Sequence, residues 1–315
     1  FAASLRSGFT HAWLRRGANM GPRAWGFEMD RQDYDSLYTP IPDPRWLNRC
    51  NITYQGAACC NVWVKRVVSH TRHEALTEIH HRRGTIKNLD KIHDLFEPSW
   101  NCETRERLPL KPGEGAKYVC GLSALRNRSL IYSFGSAGDV LFEVAMKKRL
   151  PAGEIFTFDP FLKLDARQKM QRLEQEGLLT FIPRALGVGP ASLGSLARSL
   201  RHSQRKIDVL KVDIEGSEYS AFNDTSLFGN CLKTGKLGTR MELLLVEIHT
   251  GMAVTNLPKM GEYMALLAFF RQARACGLAL FSKDGAAGME YGFISSQLAF
   301  REHVLTHPCC IISTG

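Results

Sequence analysis

The stretch SLIYSFGSAGD, residues 129–139, decides the fold. A short apolar run closes in a glycine-bearing turn, and a helical pattern takes over at 140–150. The same alternation repeats downstream. IFTF at 155–158 ends on Asp159-Pro160 and leads into a helix at 162–176, and a third strand follows at 178–183. IDVLKVDI at 207–214 and ELLLVEI at 242–248 are further apolar runs flanked by breakers. A long helix occupies 260–276, and 278–281 and 293–295 supply the last strands. Such strands alternating with longer helices imply βαβ units and a parallel sheet, hence an α/β fold.

Upstream the pattern changes. Residues 97–118 carry Pro98, Pro109, Pro112, Gly113 and Gly115 and read as a loop. Residues 61–95 are helical in period, with Val64, Val67 and Val68 on one face and Leu76, Ile79, Ile86 and Leu89 in a second set. His70, His73, His80 and His81 fall here, but no acidic or Cys partner is placed to complete a metal site, so they read as solvated or capping residues. Residues 1–50 lack periodicity, and YTPIPDP at 38–44 must be extended or turning. The division expected is an N-terminal extension over 1–95, an arm plus helices, and an α/β domain over 96–315. Arms of this composition are often ordered by a second chain, so a protein partner for the arm is expected.

The chain has 315 residues and a formal net charge of +10. That balance favours anionic partners such as acidic glycans, phosphorylated metabolites or nucleic acid. The basic residues are dispersed, with no block of five or more consecutive Lys and Arg and no aromatic-basic repeat, which argues against a nucleic-acid module. No apolar stretch is long enough to span a bilayer. The sequence opens on Phe1, so a start further upstream is expected, with room for a signal peptide or anchor there. Nine cysteines include no CxxC pair, which disfavours a zinc module. Cys102 and Cys120 bracket the Pro/Gly-rich loop as a candidate disulfide. Asn51, Asn127 and Asn223 stand in Asn-x-Ser/Thr sequons. Together these features favour the secretory pathway, the Golgi lumen or the cell exterior.

In an open parallel sheet, ligands bind beyond the carboxyl ends of the strands. The first strand ends in Ser133, Phe134, Gly135, Ser136, Ala137, Gly138 and Asp139, where glycines let the backbone approach a ligand and the following helix presents free N–H groups. The second ends in Asp159, placed to accept ribose hydroxyls, or alternatively to cap a helix with Pro160 at its first position. The third ends in Ala185-Leu186-Gly187, suited to a flat adenine face. The fourth ends in Asp213 and Glu215, two apart and so on one side of an extended chain. The fifth ends in Glu247 and His249 with the same spacing. A carboxylate pair converging with an imidazole suits general-base work.

KVDIEGSE at 211–218 resembles the signature of the FkbM-type methyltransferases, and IYSFG, TFDP, RALG and LLVEIH follow the same family order. The set is similar to the eukaryotic methyltransferase-like branch, which also carries a Cys-bearing leader like WNCETRER and GAKYVC at 100–120. The resemblance covers about residues 97–300. It implies a seven-stranded, Rossmann-like, mostly parallel sheet with helices on both faces. It also implies S-adenosylmethionine as donor and transfer to an oxygen, often of a sugar or related small polar compound. Carried across, Ser133, Phe134, Gly135, Ser136 and Gly138 serve the methionine part of the cofactor, Asp159 its ribose and Leu186 its adenine. Asp213, Glu215 and His249 line the reacting centre, and Asp213 also borders the cofactor. One departure stands out. Ser133 occupies the position of the usual acidic residue, and Ala137 that of the middle glycine.

The expected function is therefore an S-adenosylmethionine-dependent O-methyltransferase, with Asp213 or His249 as base and Glu215 orienting it. No metal ligand is assigned, although the same side chains are compatible with a divalent cation. The rival reading is a catalytically inactive methyltransferase-fold protein acting as a binding or scaffold subunit. A nicotinamide dehydrogenase is disfavoured, because the first loop lacks G-x-G-x-x-G and no Tyr-x-x-x-Lys appears.

Overall fold

The computed structural model describes residue 93 and residues 96–110, 115–222, 241–285 and 289–306. The expected arm and the helices over 61–95, with their histidines, lie outside the described residues save for His93. Seven strands form one sheet: β3 (Leu130–Phe134), β4 (Glu154–Phe158), β5 (Thr180–Ile182), β6 (Ile207–Val212), β7 (Met241–Ile248), β8 (Leu278–Asp284) and β9 (Met289–Ser295). Their order is β5-β4-β3-β6-β7-β9-β8. The pairs from β5 through β7 are parallel, while β9 runs antiparallel between β7 and β8. The mostly parallel, Rossmann-like sheet expected from the sequence is thus present, closed on one side by an antiparallel hairpin.

The strands are mostly apolar because both faces are covered. Every residue of β3 and β6 is buried. Tyr132, Phe134, Phe158, Leu210, Val212, Leu244 and Val246 face one layer, which receives Tyr263, Leu266, Phe269 and Ala273 of α6 (Lys259–Ala275). Ile131, Ile155, Val209, Leu243 and Leu245 face the other. That layer receives Phe142 and Met146 of α1 (Leu141–Arg149), and Leu298 and Ala299 of α7 (Ser296–Thr306). Each large apolar side chain so buried contributes roughly 1.5–3 kcal/mol. The remaining helices are α2 (Leu164–Gln175), α3 (Leu193–Ser199), α4 (Glu218–Phe222) and α5 (Met252–Thr255).

The segment read as a loop at 97–118 contributes to two strands. β1 (Glu106–Leu108) and β2 (Lys117–Val119) form a separate antiparallel pair, and the Arg105 and Arg107 guanidinium groups lie 5.1 and 5.5 Å from the Tyr118 ring centre. Strands this short carry too little periodicity to stand out in a sequence. Cys102 and Cys120 come together with a Cα–Cα separation of 5.9 Å, at bonding distance. The short helices α3, α4 and α5 and the C-terminal helix α7 also went unread.

Candidate active site

Strand order reverses between β3 and β6. The chain leaves β3 toward β4 on one side and returns to β6 on the other, so the loops after β3 and β6 part and leave a crevice. The glycine loop lies on one lip and Asp213 on the other. They touch through backbone: the Asp213 N–H donates to the Phe134 carbonyl at 3.0 Å. A Cβ on Gly135, whose φ is +76°, would stand 1.5 Å from the Asp213 carbonyl oxygen. Gly135 is required by this chain-to-chain contact. At Gly138, φ +89°, a Cβ would meet the Ala166 methyl at 2.9 Å, which seats the loop on α2.

The loop's own N–H groups are engaged within the protein. Asp159 Oδ2 accepts the Ser136 N–H (3.1 Å), the Ala137 N–H (2.8 Å) and the Ser136 hydroxyl (3.3 Å), while Oδ1 accepts the Phe161 N–H (3.0 Å). Gly138 N–H donates to the Ser136 hydroxyl, and Asp139 caps Leu141 at 3.0 Å. Asp159 therefore braces the loop as well as standing at the end of β4. Phe134 and Leu186 are core side chains: the Phe134 ring is stacked 4.3 Å from Phe158, and both residues belong to the α6-side layer. Both side chains, expected from the sequence to meet the cofactor, are buried, Phe134 fully and Leu186 at 6% exposure. Ser133 is fully buried, and its hydroxyl donates to Glu143 of α1, a carboxylate that no sequence motif singled out. Phe161, beside Asp159, is 88% exposed and was also missed.

On the other lip, Asp213 follows β6 but Glu215 is not in extended chain. It has φ +54° in a turn with Gly216, whose φ is +90°, so the two carboxylates are not aligned as a strand would align them. Glu215 is largely exposed and reaches His249 Nε2 at 3.4 Å. The two-residue spacing at the end of β7 holds, with Glu247 Oε1 3.6 Å from His249 Nε2. His249 Nδ1 lies 3.1 Å from Oε1 of Glu218, a fully buried carboxylate at the start of α4 that also accepts the Ile214 N–H. The hydrogen bond from its ring to Glu218, aided by the Glu215 and Glu247 charges against the cost of burial, pushes the His249 pKa up to about 9. Glu218 closes the KVDIEGSE run, so its signal was present in the sequence but not its role.

Lys117 of β2 was not anticipated. Its Nζ is buried and lies 2.7 Å from Glu247, 2.6 Å from Glu290 and 3.4 Å from Asp213. Burial opposes its charge, but these carboxylates outweigh burial and hold its pKa above the ordinary value. Burial also pushes the Glu290 carboxyl up, against the pull of Lys117. Lys211 donates to the Gly135 carbonyl at 2.8 Å and stands 3.9 Å from Asp213. Ligand atoms of Asp213, Glu247 and His249 lie within 4.8 Å of one another, the spacing of a cation site, with the Lys117 ammonium bonded to two of the three.

A Rossmann-like sheet with acidic and glycine-bearing loops meeting at its switch point defines the class: the fold of the class I, S-adenosylmethionine-dependent methyltransferases. A family profile described as "Methyltransferase domain" matches residues 61–295, and the chain belongs to that family. No curated protein matches it. Among solved structures it is similar to an O-methyltransferase family protein from Burkholderia thailandensis, at 14% identity over 56% of this chain and 54% of the other, with a TM-score of 0.34. It is similar to the C-terminal domain of precorrin-6Y C5,15-methyltransferase from Rhodobacter capsulatus, at 15% identity over 56% and 85%, with a TM-score of 0.30. A third is an O-methyltransferase from neocarzinostatin biosynthesis, solved with S-adenosylmethionine and 2-hydroxy-5-methyl naphthoic acid, at 12% identity over 55% and 51%, TM-score 0.30. The chain spans about half the length of the first and third of these.

Proposed function

We propose that this chain is an S-adenosylmethionine-dependent O-methyltransferase of the FkbM-like type, acting on a hydroxyl of a sugar or other small polar acceptor. The observation that carries the reading is the convergence of the glycine loop, Asp159, Asp213 and the Glu218–His249 pair on one crevice at the switch point. The residues fit the donor. Asp159 retains acceptor capacity for ribose hydroxyls after bracing the loop, and the exposed Phe161 ring beside it offers the flat face for adenine that Leu186 does not. When bound, S-adenosylmethionine supplies a methyl group already activated on a sulfonium. The protein's work is then to align the acceptor hydroxyl and take its proton.

His249 is the base. Buried Glu218 fixes the ring through Nδ1, so Nε2 is presented among Glu215 and Glu247 at the mouth. Only the neutral ring accepts a proton, so the rate climbs with pH toward about 9. Asp213 orients the acceptor hydroxyl, and Glu215 orients the ring from the exposed side. The secretory setting is supported by the Cys102–Cys120 pairing and by Asn127, exposed in a turn within its sequon. Asn51 and Asn223 lie outside the described residues. The charge of +10 favours an acidic sugar as acceptor. The N-terminal extension over 1–95, of which 61–95 fall within the family match, serves to meet a partner chain. Among the described residues, no helix is long and apolar enough to cross a membrane.

The rival, a non-catalytic scaffold of the same fold, draws on one observation: the loop's N–H groups are satisfied internally. A transfer assay separates the two. S-adenosylmethionine labelled in its methyl group, offered with neutral and acidic sugars, should label an acceptor, and His249→Ala should cut turnover ~100-fold or more. Cofactor binding without label transfer to any sugar would favour the scaffold.

A further inference from the structure

We infer that Lys117 is the resident cation of the acceptor end of the site, holding Asp213 and Glu247 in place where a divalent metal ion would otherwise be needed. The inference rests on the proposed role of Asp213 at the reacting centre. Glu247 and Glu290 are direct cross-strand partners on β7 and β9, a like-charge pairing that destabilises a sheet unless something neutralises it. Asp213, at the end of the adjoining β6, brings a third carboxylate to the same point. Hard carboxylate oxygens with an imidazole beside them form a donor set that divalent cations accept. Here an ammonium meets them instead, at 2.7 Å from Glu247, 2.6 Å from Glu290 and 3.4 Å from Asp213, so its three protons face three carboxylates.

The delivery is unusual as well. Lys117 does not belong to the seven-stranded sheet. It comes from β2, packed over β7 and β9, three residues before Cys120. Its side chain is only 2% exposed, so this is a charge built into the fold rather than a surface contact. Removing it leaves carboxylates from three strands facing one another, with only Lys211, 3.9 Å from Asp213, and His249, 3.6 Å from Glu247, beside them. Lys117 is thus a positioning residue. It fixes the rotamers of Asp213 and Glu247 on either side of the crevice wall, next to His249.

The test is calorimetric titration of the full chain with Mn²⁺, supported by melting curves, and it needs neither cofactor nor acceptor. Wild type should show no Mn²⁺ site tighter than millimolar. Lys117→Met should acquire one at least 10-fold tighter, with its melting temperature restored by Mn²⁺, and Lys117→Arg, which keeps the charge, should acquire none. If Lys117→Met does not fold, Lys117→Met combined with Glu290→Gln relieves the repulsion and should still gain the site. A tight Mn²⁺ site in wild type that Asp213→Asn abolishes would overturn the inference. So would a folded Lys117→Met protein that binds Mn²⁺ no better than wild type. Failure to bind S-adenosylhomocysteine would instead count against the methyltransferase reading and leave the Mn²⁺ result to stand on its own.

Discussion

At the scale of single residues, the site is a set of carboxylates whose charges are managed by His249, Lys117 and Lys211. Glu218 makes His249 a cation near neutral pH, and the consequence for stability has a definite sign. The folded-state pKa, about 9, lies above that of an unfolded histidine, so the pair stabilises the fold fully below pH ~6.5 and loses that contribution as pH rises through 9. The melting temperature should therefore fall between pH 6.5 and 10, and Glu218→Gln should flatten the fall. An NMR titration of the His249 ring checks the same point directly, with Glu218→Gln moving its midpoint down. Phe161 carries a second prediction at this scale. Phe161→Ala should leave the melting curve unchanged, because the ring is 88% exposed, yet weaken S-adenosylhomocysteine about 10-fold, the low end of what stacking on a base contributes. Asp213, Glu215 and His249 were legible because they follow apolar runs. Lys117 was not, since its partners are 96 to 173 residues away and no local pattern announces a tertiary ion cluster.

At the scale of elements, the loop after β3 is held by neighbours on every side. Asp159 of the β4 end bonds its N–H groups, Lys211 of β6 bonds its Gly135 carbonyl, and the Lys169 ammonium of α2 donates to the Gly138 carbonyl at 2.9 Å. Gly135→Ala combines a positive φ with a Cβ inside the Asp213 backbone. It should destabilise the protein by about 3 kcal/mol or more, measured by denaturant unfolding, whereas Gly177→Ala, with open space around it, should cost about 1 kcal/mol from its positive φ alone. The alternation of apolar run and helix foretold β3, β4, β6, β7 and α6 within a residue or two of their observed bounds. It did so because a sheet covered on both faces writes itself as continuous apolar stretches. β9 began earlier than expected, because Glu290 interrupts the apolar run even though Tyr291 is buried in the core and Met289 packs against it. β1 and β2 depend on cross-strand arginine–tyrosine contact and on the Cys102–Cys120 pairing, neither of which has a period.

At the scale of the molecule, a sequence of net charge +10 contains a crevice that is itself acidic. Asp213, Glu215, Glu218, Glu247 and Glu290 gather at the C-terminal ends of β6 and β7 and the start of β9. The net charge speaks to what approaches the protein, and the crevice to what is held at the reacting end. Both lips of that crevice come from the reversal of strand order between β3 and β6, which is why topology places the site before any side chain is considered. The central claim is that this crevice holds S-adenosylmethionine, and calorimetric titration of the intact chain with S-adenosylhomocysteine tests it most directly. Micromolar binding to wild type, weakened at least 10-fold by Asp159→Ala with the fold retained, is the predicted result. Absence of binding to folded wild-type protein, or binding indifferent to Asp159→Ala, would contradict it.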